Sequence, residues 1–322
     1  MESKVDLWAL SDLCTPWCIH VAVTLQIPDH IDAGITTIEG LAKASSADPD
    51  SLRRVLRHLT FKGVFEEPVP GTFALNEPAR QLLHSMAKLG MDLNGIGGRM
   101  AYAWSSLLPA VKTGTTAYHT VFGLSFWEDL QAHPEIRVSF DDLMGPPGHG
   151  MPDANVEITG GWESVRTVVD VGGGTGALLD SILSAQPGLH GTLVDLPQTV
   201  ARANLSARLT VVGQSFFDPL PSGADLYLMK NVLADWADRD ALLLLKRCAD
   251  AARPSGRVLI LGGVEPDSPF GPSPELLMMV LVGGKSRTLS QFRTLAGAAG
   301  LEILAAGKQP SGRFAVECRP DS

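Results

Sequence analysis

The sequence predicts an α/β protein in two parts: an N-terminal helical, winged-helix-like domain, then a doubly wound, Rossmann-like sheet that closes the chain. Three observations carry that expectation. Apolar residues recur at helical spacing through the first hundred residues, then give way to VFEEPVPGTFALN, two short strands about Pro70-Gly71. After Glu163, short runs of branched residues alternate with helical patterns (RTVVDVG, GTLVDL, RLTVVG, DLYLMK, GRVLILGG), the order that builds a mostly parallel sheet. The first run ends in GGGTG, at the carboxyl edge where such sheets hold ligands.

Taken in order, a helix is expected from Leu7 to Leu25, followed by helices that start at the caps Thr37 and Asp48 or Asp50. With the wing, this is the winged-helix order and defines residues 1–100. Residues 101–160 read as a helical linker, with WSSLLPAVKTG and SFWEDLQAHPEIRVSFDDLM as its apolar parts and GPPGHGMPD, 145–153, as a loop or hinge. Residues 161–322 carry the sheet, with helices from Gly176, near Thr199, from Asp238 to Ala252 and from Ser290, and with LEILAAGK and RFAVECR as last strands.

Composition narrows the function. The 322 residues are 45% hydrophobic and 19% charged with a net charge of −9, so a general affinity for nucleic acid is disfavoured. The stretch SLRRVLRHLTFKG does carry Arg53, Arg54, Arg57, His58 and Lys62 where a DNA-recognition helix would lie. Acidic neighbours at Asp48, Asp50, Glu66 and Glu67 oppose that role and favour a solvated or dimer-facing helix. Cys14, Cys18, Cys248 and Cys318 show no paired spacing and are expected reduced, buried and inert; no metal site is expected. No apolar run approaches the roughly 20 residues of a bilayer span, and the N-terminus lacks a signal-peptide pattern, so a soluble, cytoplasmic protein is expected.

The turn VVDVGGGTGALL fits two cofactor classes. Gly172, Gly174 and Ala177 satisfy the dinucleotide form GxGxxA, whereas Asp170, Gly172, Gly174 and Gly176 satisfy DxGxGxG, associated with S-adenosylmethionine. Asp195, closing the second strand, suits the ribose of either. Asp170 favours the second, because an anion before the glycines attracts a cationic methionine amine and repels a pyrophosphate.

With VVDVGGGTG, TLVDLPQTV, VVGQSFFDPLP, LMKNVLADWADRDA, RVLILGGVEP, ELLMMVLVGGKSRTLSQFRTLAGAAGLE and AVKTGTTAYHTVFGLSFWEDL, the chain resembles the small-molecule O-methyltransferases of bacterial natural-product pathways, related to the plant phenylpropanoid enzymes. The resemblance spans nearly the whole sequence. It implies a homodimer formed through the N-terminal domain and S-adenosylmethionine as cofactor. It also implies a cofactor site at Asp170, Gly172, Gly174, Asp195, Ser215, Phe216 and Lys230. Ser215 stands where many relatives have Asp, which weakens an expected contact to the adenine amino group.

In the plant-type enzymes LADW reads with a His that takes the acceptor's proton; here that position is Ala234. The two acidic residues that hold the His are absent as well, with Gly262 and Ser286 at the matching places, and Glu265 is three residues out of register. A phenol of pKa about 10 reacting as its anion at pH 7 carries a penalty near 4 kcal/mol. A positioned base supplies about 10²- to 10⁴-fold, whereas alignment of two bound reactants supplies about 7 to 11 kcal/mol. Orientation alone therefore suffices, the more so for a hydroxyl acidified by an ortho carbonyl.

Candidate catalytic groups are His149, reaching over from its loop, and Asn231, orienting a substrate oxygen; His119 is a further pocket candidate, and Asp235 is expected to cap the following helix. Trp104, Phe126, Phe140, Met144, Asn231 and Met278 are the candidate substrate contacts, with Trp127 and Met279 as further walls; each competes with a plain core role. Phe217 reads as core, and Trp236 as a cofactor neighbour or a buried structural residue. The expected activity is O-methylation of a phenolic or polyketide-like metabolite. The alternatives are a cofactor-binding relative redirected to hydroxylation, decarboxylation or ring formation, and a winged-helix DNA-binding regulator.

Overall fold

A computed structural model describes residues 5–149, 152, 154–204, 206–269, 271 and 275–321. Its packing divides the chain into two interleaved units, Met1–Tyr102 with His133–Leu143, and Ala103–Ala132 with Met144–Ser322. The first unit ends at Tyr102, close to the boundary expected at 100, and the helix Pro134–Met144 gives most of its length to that unit.

In the first unit, the expected helix from Leu7 to Leu25 is two, Leu7–Leu10 and Cys14–Thr24. The break follows local capping: Asp6 accepts from the amides of Trp8 and Ala9, and Asp12 accepts from those of Cys14 and Thr15. The helices Ile38–Ser45 and Pro49–Phe61 start at the caps Thr37 and Asp48. β1 (Phe65–Val69) and β2 (Thr72–Leu75) form the antiparallel wing. Ala22, Ile27, Leu41, Leu56, Leu59, Phe65 and Phe73 make the core of this unit. On the helix Pro49–Phe61, Arg53 pairs with Glu39, Arg54 with Asp50 and Arg57 with Glu67. These are surface pairs, each worth little in stability. Leu7, Trp8, Leu10 and Leu13 stay exposed, Trp8 at 88%.

The second unit holds a seven-stranded sheet. Its strands are β3 (Thr167–Val171), β4 (His190–Asp195), β5 (Leu209–Gly213), β6 (Leu226–Lys230), β7 (Arg257–Leu261), β10 (Leu301–Lys308) and β11 (Phe314–Pro320). They lie in the order β10-β11-β7-β6-β3-β4-β5, parallel from β5 to β7, with β11 and β10 antiparallel. Alternation along each central strand feeds two cores. Val169, Val171, Tyr227, Met229, Val258 and Ile260 pack on one face, and Val168, Leu226, Leu228, Leu259 and Leu261 on the other. Because the chain runs outward through β4 and β5 and returns to place β6 beside β3, the β3/β6 boundary is the topological switch point.

Other expectations change in detail. Part of the 145–153 loop forms a helical turn, Pro146–His149; residues 150, 151 and 153 lie outside the described residues. Cys248 and Cys318 are buried with thiols pushed up to about 12 by desolvation, but Cys14 is exposed and Cys18 half-buried, against the expectation for all four. Among the described residues no helix is long and apolar enough to cross a membrane.

Tyr227 is fully buried with its hydroxyl 2.7 Å from the Pro221 carbonyl, 2.8 Å from that of Ala251 and 3.3 Å from the Ala224 amide. Tyr227→Phe leaves those groups unmatched, and urea denaturation is expected to register a loss of about 1 to 3 kcal/mol.

Candidate active site

At the switch point β3 delivers Asp170 and the glycine turn, β4 delivers Asp195, and β6 delivers Lys230 and Asn231 to one carboxyl edge. Gly172 turns with φ +71°, and its amide donates to the Val194 carbonyl at 2.8 Å. A Cβ there would lie 2.8 Å from Val232 Cγ2 and 3.3 Å from Phe216 Cε1, so only glycine permits this approach. Asp195 accepts from the amides of Gly174 (2.9 Å) and Leu196 (2.7 Å), which fixes its carboxylate at the strand end.

Asp170 is 1% exposed, and its Oδ2 has no hydrogen-bond partner. Desolvation first, then repulsion from Asp195, pushes its pKa up to about 7, while Lys230 opposes the rise. A buried carboxyl with an orphaned oxygen is costly unless a ligand donor meets it. The ammonium of S-adenosylmethionine is such a donor, and the glycine edge and the Asp195 carboxylate suit the rest of that molecule. The residues present therefore fit the cofactor. Ser215 and Phe216 follow β5; the Ser215 hydroxyl accepts locally from the Phe217 amide at 3.2 Å, and Phe216 packs beside Gly172. Phe217 and Trp236 lean on the sheet core.

Beyond β6 the turn Leu233–Asp235 carries the empty His position. Ala234 is buried, and a Cβ at Gly263 would sit 3.1 Å from its Cβ. Two short parallel strands that the sequence did not announce, β8 (Val264–Glu265) and β9 (Arg287–Thr288), bring the neighbourhoods of Gly262 and Ser286 side by side. Arg287, only 1% exposed, reaches from β9 to donate to the carbonyls of Leu233 (3.2 Å), Trp236 (2.8 Å) and Lys285 (3.2 Å) and to Asp238 (3.0 Å). No spacing rule would have found it; a Lys-Ser-Arg run reads as surface.

Asp235 does not cap the next helix, as the sequence suggested: the helix Asp238–Ala252 has Ala237 at its N-cap with no side-chain bond. Burial and the nearby Glu275 instead push the Asp235 carboxyl up to about 7. Trp236 stacks on Trp127 with centroids 6.0 Å apart and meets Phe217 edge-on at 4.7 Å, which makes a wall of packed aromatic rings.

The other candidates are spread out. Phe126 is buried against Tyr118 and Trp127, more core than surface. The helix Ala117–Phe122 packs against both the turn Trp104–Ser106 and the helix Leu276–Leu281, so Trp104 and Met278 belong to neighbouring elements. Met144 is half exposed, and Phe140 sits in the first unit. His149 and His119 are both exposed, on the turn Pro146–His149 and the helix Ala117–Phe122. Asn231 stands at the site edge with φ +58°, in the left-handed region that non-glycine residues rarely enter.

Asp170→Asn follows from the geometry. A carboxyl whose folded pKa lies near 7, against 3.8 unfolded, contributes stability that is complete below about pH 4 and lost as pH rises through 7. In thermal melts without ligand, the stability advantage of Asp170→Asn should therefore grow from about pH 4 to 7 and stay constant above, while calorimetry shows weaker cofactor binding.

The O-methyltransferase dimerisation domain family matches residues 8–85, and the O-methyltransferase domain family matches residues 104–302. The chain is 40% identical over 94% of its length, and 94% of the relative's, to 2,7-dihydroxy-5-methyl-1-naphthoate 7-O-methyltransferase of Streptomyces carzinostaticus. It is 38% identical over 94% of its length, and 85% of the relative's, to aclacinomycin 10-hydroxylase RdmB of Streptomyces purpurascens. The O-methyltransferase NcsB1 from neocarzinostatin biosynthesis, solved with S-adenosylmethionine and 2-hydroxy-5-methyl naphthoic acid, superposes with a TM-score of 0.90 at 38% identity over 99% of both chains. With the glycine edge, the orphaned Asp170 and both family domains in one chain, the protein belongs to the S-adenosylmethionine-dependent O-methyltransferase family.

Proposed function

We propose that the chain methylates a hydroxyl of a polycyclic or naphthoate-like aromatic metabolite, working as a homodimer and without a histidine base. The observation that carries this reading is the combination of a complete cofactor edge at Asp170, Gly172 and Asp195 with the stacked Trp127–Trp236 wall beside an Ala at the base position. When bound, S-adenosylmethionine supplies an electrophilic methyl group. The residues supply alignment, exclusion of water and a fixed turn at Leu233–Asp235, and alignment alone is worth about 7 to 11 kcal/mol. The naphthoate methyltransferase among the relatives is named for an aromatic acceptor of this kind, and another relative is named for an O-methylation in mitomycin biosynthesis. The exposed Leu7, Trp8, Leu10 and Leu13 border or fall within the matched dimerisation domain and suit burial against a second copy.

Ala234 also motivates a second reading, because the relative RdmB is named a hydroxylase. Methyl-labelled cofactor incubated with hydroxynaphthoates and hydroxyanthraquinones separates the two. Label in the product supports methyl transfer; a changed acceptor mass beside intact cofactor replaces it with the second reading. Light scattering is expected to give twice the chain mass, and a monomer at micromolar concentration counts against the dimer. Ala234→His is expected to raise turnover by less than about tenfold, because the buried position abuts Gly263 and lacks acids to orient an imidazole; a gain of about a hundredfold would show base catalysis to be the missing factor.

A further inference from the structure

The place that matches the family's first supporting acid is occupied in another way. Gly262 follows β7 with φ +83°, and a Cβ there would lie 2.6 Å from Asn231 Oδ1 and 3.2 Å from an Arg313 guanidinium nitrogen. That nitrogen donates to Asn231 Oδ1 at 2.5 Å. Arg313 comes from the turn before β11, whose first residue, Phe314, accepts from the Gly262 amide at 3.0 Å. Among the described residues no carboxylate pairs with Arg313, and it is half-buried. Gly263, the next residue, abuts Ala234. Where the resemblance leads one to expect a carboxylate holding a base, the chain sets a half-buried cation steadied by an amide.

We propose that Arg313, held over Gly262 by Asn231, is an anion-binding catalytic residue that receives an acidic aromatic hydroxyl as its phenolate. The proposal rests on the O-methyltransferase reading above and names the substrate class: a phenol acidified by a neighbouring carbonyl or nitro group. The O–H electron pair stays on the acceptor oxygen, and its proton passes to solvent water at the exposed Asn231 edge. The guanidinium stabilises the resulting anion by a charge-assisted hydrogen bond. A cation within about 4 to 6 Å lowers such a pKa by about 1 to 3 units, which offsets much of the deficit left by Ala234. The same charge is felt one strand away, where Arg313 helps desolvation to depress the Lys230 ammonium. Asn231 is then a positioning residue, and its left-handed backbone turns its amide toward Arg313.

The test reads ionisation directly, separately from methyl transfer. The full-length protein loaded with S-adenosylhomocysteine is titrated with 4-nitrophenol, 4-nitrocatechol and 2-hydroxy-1-naphthaldehyde, whose absorbance reports the bound pKa. The proposal expects the bound pKa to fall by at least about one unit in the wild type and in Arg313→Lys, and to return to the free value or above in Arg313→Met. Unchanged S-adenosylhomocysteine affinity checks that each variant is folded. For any acceptor that takes up label, Arg313→Met should lose about 10- to 100-fold in kcat at pH 7, with recovery at high pH as the hydroxyl ionises unaided. An equal bound pKa in wild type and Arg313→Met, a loss independent of pH, or failure to bind any of the three anions overturns the proposal. If label never reaches an acceptor while the Arg313-dependent shift persists, O-methylation fails and the anion site stands.

Discussion

The active-site half of the molecule depends on one buried cation. The Arg287 guanidinium lies under the turn after β6 and gathers the carbonyls of Leu233, Trp236 and Lys285 together with the Asp238 carboxylate. These acceptors belong to segments about 50 residues apart in sequence, which the guanidinium ties together. A buried guanidinium stripped of its partners costs about 3 to 5 kcal/mol, so the turn cannot drift without exposing an uncompensated charge. Asp238 is bound also by Lys285 at 2.7 Å and is held below the ordinary carboxylate range. Ala234, Asp235 and Trp236 inherit their positions from this clamp, and the aromatic wall inherits its own from Trp236.

Around that fixed turn the charges divide by task. On the β3–β4 side, Asp170 and Asp195 repel each other, Lys230 relieves that repulsion in part, and a cationic ligand would relieve it further. On the β6–β7 side, Lys230, Asn231 and Arg313 make a positive edge, with Arg313 and Lys230 in mutual repulsion. The two fields face different partners: a sulfonium and ammonium on one side, an electron-rich acceptor on the other. Asp235 and Glu275 add a second acidic pair near the aromatic wall, where burial keeps Asp235 from ionising freely at neutral pH.

What could be read from the sequence was whatever lies close together along the chain. The glycine turn, Asp170 and Asp195 sit at the ends of consecutive strands, and strand alternation placed them on one edge before any coordinates. Ala234, Gly262 and Ser286 were legible as absences only through the family resemblance. Arg313 was not, since it meets Asn231 across 82 residues of sequence and lies in a hairpin turn with no motif. Arg287 was hidden because burial of a charge depends on partners, and most of its partners come from the distant segment 233–238. The broken N-terminal helix was missed because side-chain caps at Asp6 and Asp12 outcompeted a continuous apolar period. Helix Pro134–Met144 joined the first unit through tertiary packing that periodicity does not encode.

Gly262 has one more consequence. With φ +83° and Asn231 Oδ1 only 2.6 Å from where a Cβ would stand, any larger residue must displace the Asn231–Arg313 pair and bend the backbone into a conformation it resists. An acid could stand at this place only if the turn, the amide and the arginine all changed together.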